Sequence, residues 1–142
     1  NGAGDFEPLS AAESGVRIFG DQRGAALADF DGDGRLDVAV AQNGAPTRLL
    51  RNVGASPGLR VRLEGPPGNP DAIGATIRLE YGNGLGPVRE IQGGSGYWSL
   101  NGATQVMGLR ETPVAVLVRW PGGEASRVEV DAGARTVTVR AP

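Results

Sequence analysis

The architecture of this chain is organised around the nonapeptide Asp29-Phe30-Asp31-Gly32-Asp33-Gly34-Arg35-Leu36-Asp37, which has aspartates at its positions one, three, five and nine. Ca²⁺ accepts about six to eight oxygen ligands in flexible geometry, and alternating aspartates supply such oxygens from a short loop. Gly32 and Gly34 permit the positive φ angles that let a short loop fold around one ion. Without a cation, four carboxylates this close would repel one another. The spacing therefore predicts a calcium loop, and a solvated acidic turn is the weaker interpretation.

The segments on both sides of this loop are predicted to be β-strands. Residues 25–28 and 36–41 are short, apolar and bounded by turn residues, which is typical of strands. An EF-hand would need a helix on either side and a bidentate Glu at about loop position twelve, where this chain has Val40. The sequence therefore predicts a strand-loop-strand site, followed by a third strand at 47–51.

Length and composition indicate an all-β protein. The 142 residues leave room for one domain, or for a small domain with a fragment of another. A hydrophobic content of 39% excludes a disordered chain. The 24 glycines and 10 prolines indicate many tight turns, and no stretch keeps the apolar period of a helix. We therefore expect short strands joined by turns.

A turn-rich joint at 53–58 divides the chain into two parts. Beyond the joint, apolar and polar residues alternate regularly, as on strands with one buried face. We predict a segment at 1–58 that carries the metal loop and a β-sandwich or barrel-like domain at 59–142. About seven strands are predicted in the second part, at 59–64, 75–81, 88–92, 104–109, 114–118, 126–130 and 136–140, with a hairpin turn at 82–87.

The residue types that are missing exclude most catalytic machinery. The chain has no His, Cys or Lys, so a Ser-His-Asp triad, a Cys nucleophile, a Schiff-base Lys and a His-ligated zinc all lack their central residue. The run 93–97 suggests a nucleophile elbow, but Tyr97 stands where the second Gly belongs. We predict a protein that is not an enzyme and has no catalytic residue. Catalysis by a pair of carboxylates, as in a glycosidase, is the one route that the sequence leaves open. The favoured interpretation of the available acids is instead that they lie on solvated strand faces; these acids are Glu64, Asp71, Glu80, Glu90 and Glu111.

Charge and hydropathy argue against two classes of partner. The formal net charge is −2 and the arginines are scattered singly, so the chain lacks the basic patch of a nucleic-acid-binding protein. No apolar run approaches the ~18 residues of a membrane-spanning helix. No signal peptide begins the chain, and one is expected to have been removed or to lie upstream.

Two stretches of the chain resemble known families. Residues 24–40, which contain the aspartate loop, and the later Leu49-Leu50-Arg51-Asn52 resemble the FG-GAP (VCBS) repeat, the calcium-loop blade of integrin-α-like β-propellers. Residues 59–142 resemble the ASPIC/UnbV domain, which is found at the C-terminus of cartilage acidic protein and of many bacterial secreted proteins. The segments that carry this second resemblance are 69–75, 94–99, 107–109 and 116–123.

The resemblance to the FG-GAP repeat implies a ligand set for Ca²⁺. The side chains of Asp29, Asp31, Asp33 and Asp37 would bind the ion, and the backbone carbonyl of Arg35 would complete the set. Together, the two families imply a secreted or cell-surface protein in which the bound Ca²⁺ is structural.

The resemblances also imply a function and a setting. We expect a non-enzymatic, calcium-stabilised adhesion or assembly module that is the C-terminal part of a larger protein. Its partners would be the remainder of that chain or other extracellular proteins. Residues 1–20 would then be the remnant of a preceding blade, because repeat architectures need about three units or more. The alternative is a single blade packed on the sandwich as one small domain.

Three aromatic residues leave a second function open. Tyr97, Trp98 and Trp120 would form a platform for a sugar ring if they were exposed, and the protein would then be a carbohydrate-binding or carbohydrate-processing module with glycans as partners. The chain has only two Trp and two Tyr, so burial of these three residues in the sandwich core is the favoured interpretation.

Overall fold

Residues 6–142 are described by a computed structural model, in which they form an all-β protein with three sheets. The all-β prediction is confirmed. None of the three sheets in this part of the chain closes on itself as a barrel. No helix within 6–142 is long and apolar enough to cross a membrane.

One helical turn precedes the strands. Helix α1 (Ala11–Ser14) begins with a capping box, in which Ser10 and Glu13 each accept a hydrogen bond from the other's backbone N–H. It ends at Gly15, whose φ of 72° is left-handed. The expected blade remnant at 1–20 falls partly on residues 1–5, which lie outside the described residues. The described remainder of that segment contains this turn and no strand.

The first sheet carries the aspartate loop. Its antiparallel strands are β1 (Gln22–Ala28), β2 (Asp37–Gln42) and β3 (Ala45–Leu50), in that spatial order. Ala28 pairs with Asp37, so the two ends of the loop meet at the end of the β1–β2 ladder. The predicted strand-loop-strand arrangement and the third strand are confirmed, and the register brings the first and last aspartates of the loop together.

The second part contains eight strands in two sheets. One sheet has the order β10-β9-β5-β6, with β7 also paired to β5, and the other has the order β11-β4-β8, with β11 parallel to β4. The extra strand relative to the prediction is one arm of the hairpin predicted at 82–87. The strands are β4 (Leu59–Glu64), β5 (Thr76–Tyr81), β6 (Gly84–Leu85), β7 (Arg89–Glu90), β8 (Gln105–Met107), β9 (Ala115–Arg119), β10 (Ala125–Glu129) and β11 (Thr136–Arg140).

These two sheets contribute to one hydrophobic core. The alternation predicted for β4 and β5 is confirmed, because their apolar residues are buried and the residues between them are more exposed. Each fully buried Leu, Ile or Val contributes about 1.5–3 kcal/mol. Every buried residue of the core cluster lies between positions 59 and 139: Leu59, Val61, Leu63, Ala72, Ala75, Ile77, Leu79, Tyr81, Ile91, Met107, Val116, Val118, Trp120, Val137 and Val139.

The first sheet and the second part meet along strand β1. The N–H of Leu27 donates to Asn101 Oδ1 at 2.9 Å, and the N–H of Gly102 donates to the Leu27 carbonyl at 2.8 Å. A side chain at Gly24 would lie 2.9 Å from the Tyr97 carbonyl, so only glycine permits this approach. The loop that contains these residues therefore covers the edge of β1 that faces away from β2.

Candidate metal centre

Three of the four loop aspartates come together. Asp29, Asp31 and Asp37 each offer one carboxylate oxygen, and these oxygens lie within 4.8 Å of one another. Asp29 follows the end of β1, Asp37 begins β2, and Asp31 reaches the same point from the loop between them. Oxygen donors at this spacing suit a hard divalent cation.

The loop is folded by its own hydrogen bonds. Gly32 and Gly34 have φ angles of 77° and 85°, as the sequence predicts. The N–H of Asp33 donates to Asp31 Oδ1 at 3.2 Å, and the N–H of Arg35 donates to Asp33 Oδ1 at 2.9 Å. These are side-chain turns of the kind that aspartates favour. They fix the side chains of Asp31 and Asp33 against the loop backbone.

Asp37 is the buried polar residue of the centre, with 2% of its surface exposed. Its Oδ2 accepts a hydrogen bond from the N–H of Phe30 at 3.2 Å, and its Oδ1 accepts one from the N–H of Asn52 at 2.7 Å. The Asn52 side chain in turn donates to the Leu36 carbonyl at 3.2 Å. Each carboxylate oxygen has two lone pairs, so Asp37 keeps acceptor capacity for a cation.

Asp29 has the feature that most favours a cation at this centre. Its side chain is 1% exposed, and its Oδ1 is buried without a hydrogen-bond partner. Its Oδ2 accepts from the N–H of Gly34 at 3.0 Å and lies 2.8 Å from Arg60 Nε. That Nε–H makes no hydrogen bond, so we treat the short Arg60 contact as an ion pair. A buried carboxylate oxygen without a partner is costly, and a cation among these carboxylates would satisfy it.

Asp33 lies outside the group of three and is neutralised by arginines. Its Oδ2 is 2.8 Å from Arg35 Nη1 and 3.5 Å from Arg51 Nη2. Partial burial raises the pKa of Asp33, but the hydrogen bonds from the Arg35 side chain and backbone outweigh this and hold the pKa below its ordinary value. Arg51 also pairs with Asp31, Nε to Oδ2 at 2.5 Å, and that hydrogen bond raises the pKa of Arg51.

The predicted ligand set is thus only partly assembled by the side chains. Asp29, Asp31 and Asp37 converge, while Asp33 faces the arginines. The Arg35 side chain donates to the Ala55 carbonyl at 2.5 Å, and the ligand role of its own carbonyl stays a prediction. The sequence interpretation missed the contributions of Arg51, Asn52 and Arg60. Arg51 and Asn52 were part of the FG-GAP-like pattern, but no sequence signal pointed to Arg60.

The burial predicted for the three aromatic residues is found for only one of them. Trp120 is buried, and its Nε1–H donates to Ser126 Oγ at 2.8 Å. Burial is wrong for Tyr97 and Trp98, which are 67% and 87% exposed. They lie at the tip of a tight turn closed by the N–H of Ser95 to the Ser99 carbonyl at 3.0 Å, where Trp98 has a left-handed φ of 51°. A turn this short has no room to fold its side chains into the core.

Three of the five carboxylates considered for a catalytic pair lie apart, each beside an arginine. Glu64 Oε2 pairs with Arg140 Nε at 2.6 Å and Glu80 Oε2 with Arg127 Nε at 2.8 Å. Glu111 lies beside Arg110. Asp71 and Glu90 line one cleft of about 110 Å³, together with Ser95, Asn101 and Gln105.

Comparison with protein-family models finds two matches along the chain. The family described as ASPIC and UnbV matches residues 65–142, and the FG-GAP repeat matches residues 23–56. A search of curated proteins finds no match. The two family matches follow each other in the order predicted from the sequence.

Proposed function

This chain belongs to the ASPIC and UnbV family and carries an FG-GAP repeat, and we propose that it is a non-enzymatic, calcium-stabilised adhesion or assembly module of a secreted or cell-surface protein. The observation that carries the proposal is the buried, unpartnered Oδ1 of Asp29 beside the carboxylates of Asp31 and Asp37. Families of this kind are consistent with an extracellular setting.

The donor chemistry favours Ca²⁺ over other metals. Every side-chain donor in the centre is a carboxylate, and the chain has no His or Cys, so the soft or nitrogen-based sites of zinc and copper are excluded. Ca²⁺ tolerates irregular oxygen geometry better than Mg²⁺ does. Asp29, Asp31 and Asp37 would hold the ion, with Asp33 and the Arg35 carbonyl as the remaining ligands of the proposed set. The bound ion would supply the positive charge that the buried carboxylates need.

Arg51 has to give way when the ion binds. Its guanidinium forms ion pairs with one carboxylate oxygen of Asp31 and one of Asp33. The Arg51 side chain is 58% exposed. An exposed ion pair is worth about 0–1 kcal/mol, so its loss is a small cost beside the binding energy of a divalent cation. We propose that Arg51 swings into solvent and releases both carboxylates.

The two parts of the chain have different roles in this proposal. Residues 59–142 form a self-contained sandwich, which is supported by a core cluster that lies within them. The proposed propeller-type blade at 1–58 has Val40 as the only buried hydrophobic residue within its described part, 6–58. A groove of about 630 Å³ on that sheet, lined by Leu36, Val38 and Leu50 among others, is the face that we propose packs against the remainder of a larger chain or another extracellular protein.

The proposal includes no catalytic activity. The absence of His, Cys and Lys removes the usual bases and the strongest nucleophiles near neutral pH. Glu64 and Glu80 are paired with arginines, which leaves them poorly suited to proton transfer. A Ca²⁺ ion held by several protein oxygens has a structural role.

Calcium titration of the full chain tests the proposal. Isothermal titration calorimetry should show saturable Ca²⁺ binding, and Ca²⁺ at about 100 times its Kd should stabilise the fold by about 2.7 kcal/mol. Asp29→Asn, which preserves the shape of the side chain, should abolish the heat of binding. Asp71→Asn, outside the loop, is the matched control and should bind normally. An unchanged melting temperature in excess EGTA, together with no heat of binding, would refute the calcium site.

A glycan-binding surface is the second candidate, and it would rest on the exposed side chains of Tyr97 and Trp98. The two rings lie 6.0 Å apart but are inclined by 43°, so they do not form one flat face for a sugar. A glycan array with the full chain and with Trp98→Ala separates the two functions, because a glycan that binds only through Trp98 would support this candidate.

A further inference from the structure

Arg60 reaches the metal loop from a different sheet. It lies on β4, the central strand of the β11-β4-β8 sheet, and its Nε is 2.8 Å from Asp29 Oδ2. Its guanidinium also covers the loop backbone, because a side chain at Gly32 would touch Nη1 at 3.8 Å. Position 60 lies between the two stretches that the families match, so neither family assigns it a role.

The backbone of Arg60 is fixed within the second part of the chain. Its N–H donates to the Arg135 carbonyl at 3.0 Å, and it pairs with Val106 on β8 and Thr136 on β11. Its Nη1 is also 3.5 Å from Thr136 Oγ1. The backbone of Arg60 is therefore held between β8 and β11, and its guanidinium also contacts β11 through Thr136.

We propose that Asp29 is shared between the cation and the β11-β4-β8 sheet, and that Arg60 is the positioning residue which makes cation binding stabilise that sheet. This inference rests on the proposed calcium site. Asp29 Oδ2 faces Arg60, whereas Oδ1 is buried and free, so the two partners use different oxygens. Partners around a ligating carboxylate commonly fix its orientation.

Arg60 differs from Arg51 because its removal would leave a buried carboxylate, that of Asp29, without a compensating charge. The Arg60 side chain is 29% exposed and its partner Asp29 is 1% exposed, whereas Arg51 is mostly in solvent. Removing one member of a largely buried ion pair leaves an uncompensated charge and is strongly unfavourable. Arg60 therefore stays in place when the ion binds, and Arg51 leaves.

A second contact also connects the metal loop to β4. The N–H of Gly58, next to the start of β4, donates to the Gly34 carbonyl at 2.8 Å, and Gly34 donates in turn to Asp29 Oδ2. These hydrogen bonds and the Arg60–Asp29 ion pair connect the loop to the start of β4, so in our proposal an ion that orders the loop also orders β4.

Amide hydrogen exchange of the full chain, with saturating Ca²⁺ and with EGTA, tests the inference. In the unchanged protein, Ca²⁺ should slow exchange at 29–37 and also at 59–64, the latter by roughly 5- to 150-fold, the usual range of coupling between sites. In Arg60→Met, exchange at 29–37 should still slow and exchange at 59–64 should not. Arg60→Lys, which restores the charge, should recover part of the effect and serves as the second variant if Arg60→Met does not fold.

Arg62→Met is the matched control. Arg62 lies on the same face of β4, is exposed, and makes no ion pair among the described residues, so this variant should respond to Ca²⁺ like the unchanged protein. Slowing at 29–37 without slowing at 59–64, or equal slowing at 59–64 in Arg60→Met, would overturn the inference alone. No slowing at 29–37 in the unchanged protein would overturn the calcium site and the inference together.

Discussion

The carboxylate of Asp37 accepts a hydrogen bond of 2.7 Å from the backbone N–H of Asn52. This bond ties the first residue of β2 to the segment that follows β3, and the second oxygen of Asp37 accepts from the N–H of Phe30. Asp37 therefore holds the base of the loop closed in addition to its proposed role as a calcium ligand. The two roles are separable by experiment.

Asp37→Ala should destabilise the calcium-free protein by about 1–3 kcal/mol, because two backbone N–H groups lose their acceptor. Asp37→Asn keeps one acceptor oxygen and should lower the free energy of unfolding by less. Urea denaturation in EGTA measures both variants. A wild-type urea midpoint for Asp37→Ala would show that the residue has no structural role.

Arg51→Gln should bind Ca²⁺ more tightly than the unchanged protein. The substitution frees the carboxylates of Asp31 and Asp33 and removes a positive charge near the ion. The gain should be roughly two- to fivefold, since exposed ion pairs contribute less than about 1 kcal/mol. Calorimetry gives the affinity, and Arg48→Gln, an exposed arginine on the preceding strand β3, is the control. Weaker binding by Arg51→Gln would mean that Arg51 supports the site instead of competing with the ion.

The first helical turn should open at low pH. Hydrogen bonds from the Ser10 side chain and backbone hold the pKa of Glu13 below its ordinary value of 4.5. A carboxylate whose folded pKa is lowered contributes stability above its unfolded pKa and loses it as pH falls through the folded pKa. The capping box should therefore persist at neutral pH and open below about pH 4.5. An NMR titration of Glu13 checks this, and Ser10→Ala should return its pKa toward 4.5.

The two tryptophans should respond oppositely to substitution. Trp98→Gly should leave stability unchanged or raise it by up to about 1–2 kcal/mol, the cost of a left-handed conformation for a residue with a side chain. Trp120→Ala should cost about 3–5 kcal/mol, as for other buried aromatic residues. Urea denaturation followed by far-ultraviolet circular dichroism compares them. Similar losses of unfolding free energy in both variants would contradict the exposed position of the Trp98 side chain.

A fragment spanning 59–142 should fold by itself, because the main core cluster lies within it. A fragment spanning 1–58 should not melt cooperatively, since its sheet buries little apolar surface. Differential scanning calorimetry of each fragment is the measurement. Cooperative melting of 1–58 alone would contradict the proposed division of the chain.

Much of the fold was predictable because its signals are local. The alternation of apolar and polar residues in β4 and β5 predicts which face of each strand is buried. The spacing of the loop aspartates predicts a turn that closes around their carboxylates. The convergence of Asp29, Asp31 and Asp37 follows from one loop between two paired strands. The placement of Asp33 toward Arg35 and Arg51 was not predictable, because carboxylates in one loop are equivalent in sequence until their neighbours are known.

The amino-acid sequence by itself determined the all-β class, the aspartate loop, its flanking strands and the order of the two families, since each depends on residues that are neighbours along the chain. Only the tertiary structure decided that Trp120 is buried while Trp98 is exposed, and that Arg60 meets Asp29. Burial and ion pairing depend on which distant segments share a surface. Two tryptophans, or two arginines on one strand face, carry the same local signal whatever lies across from them.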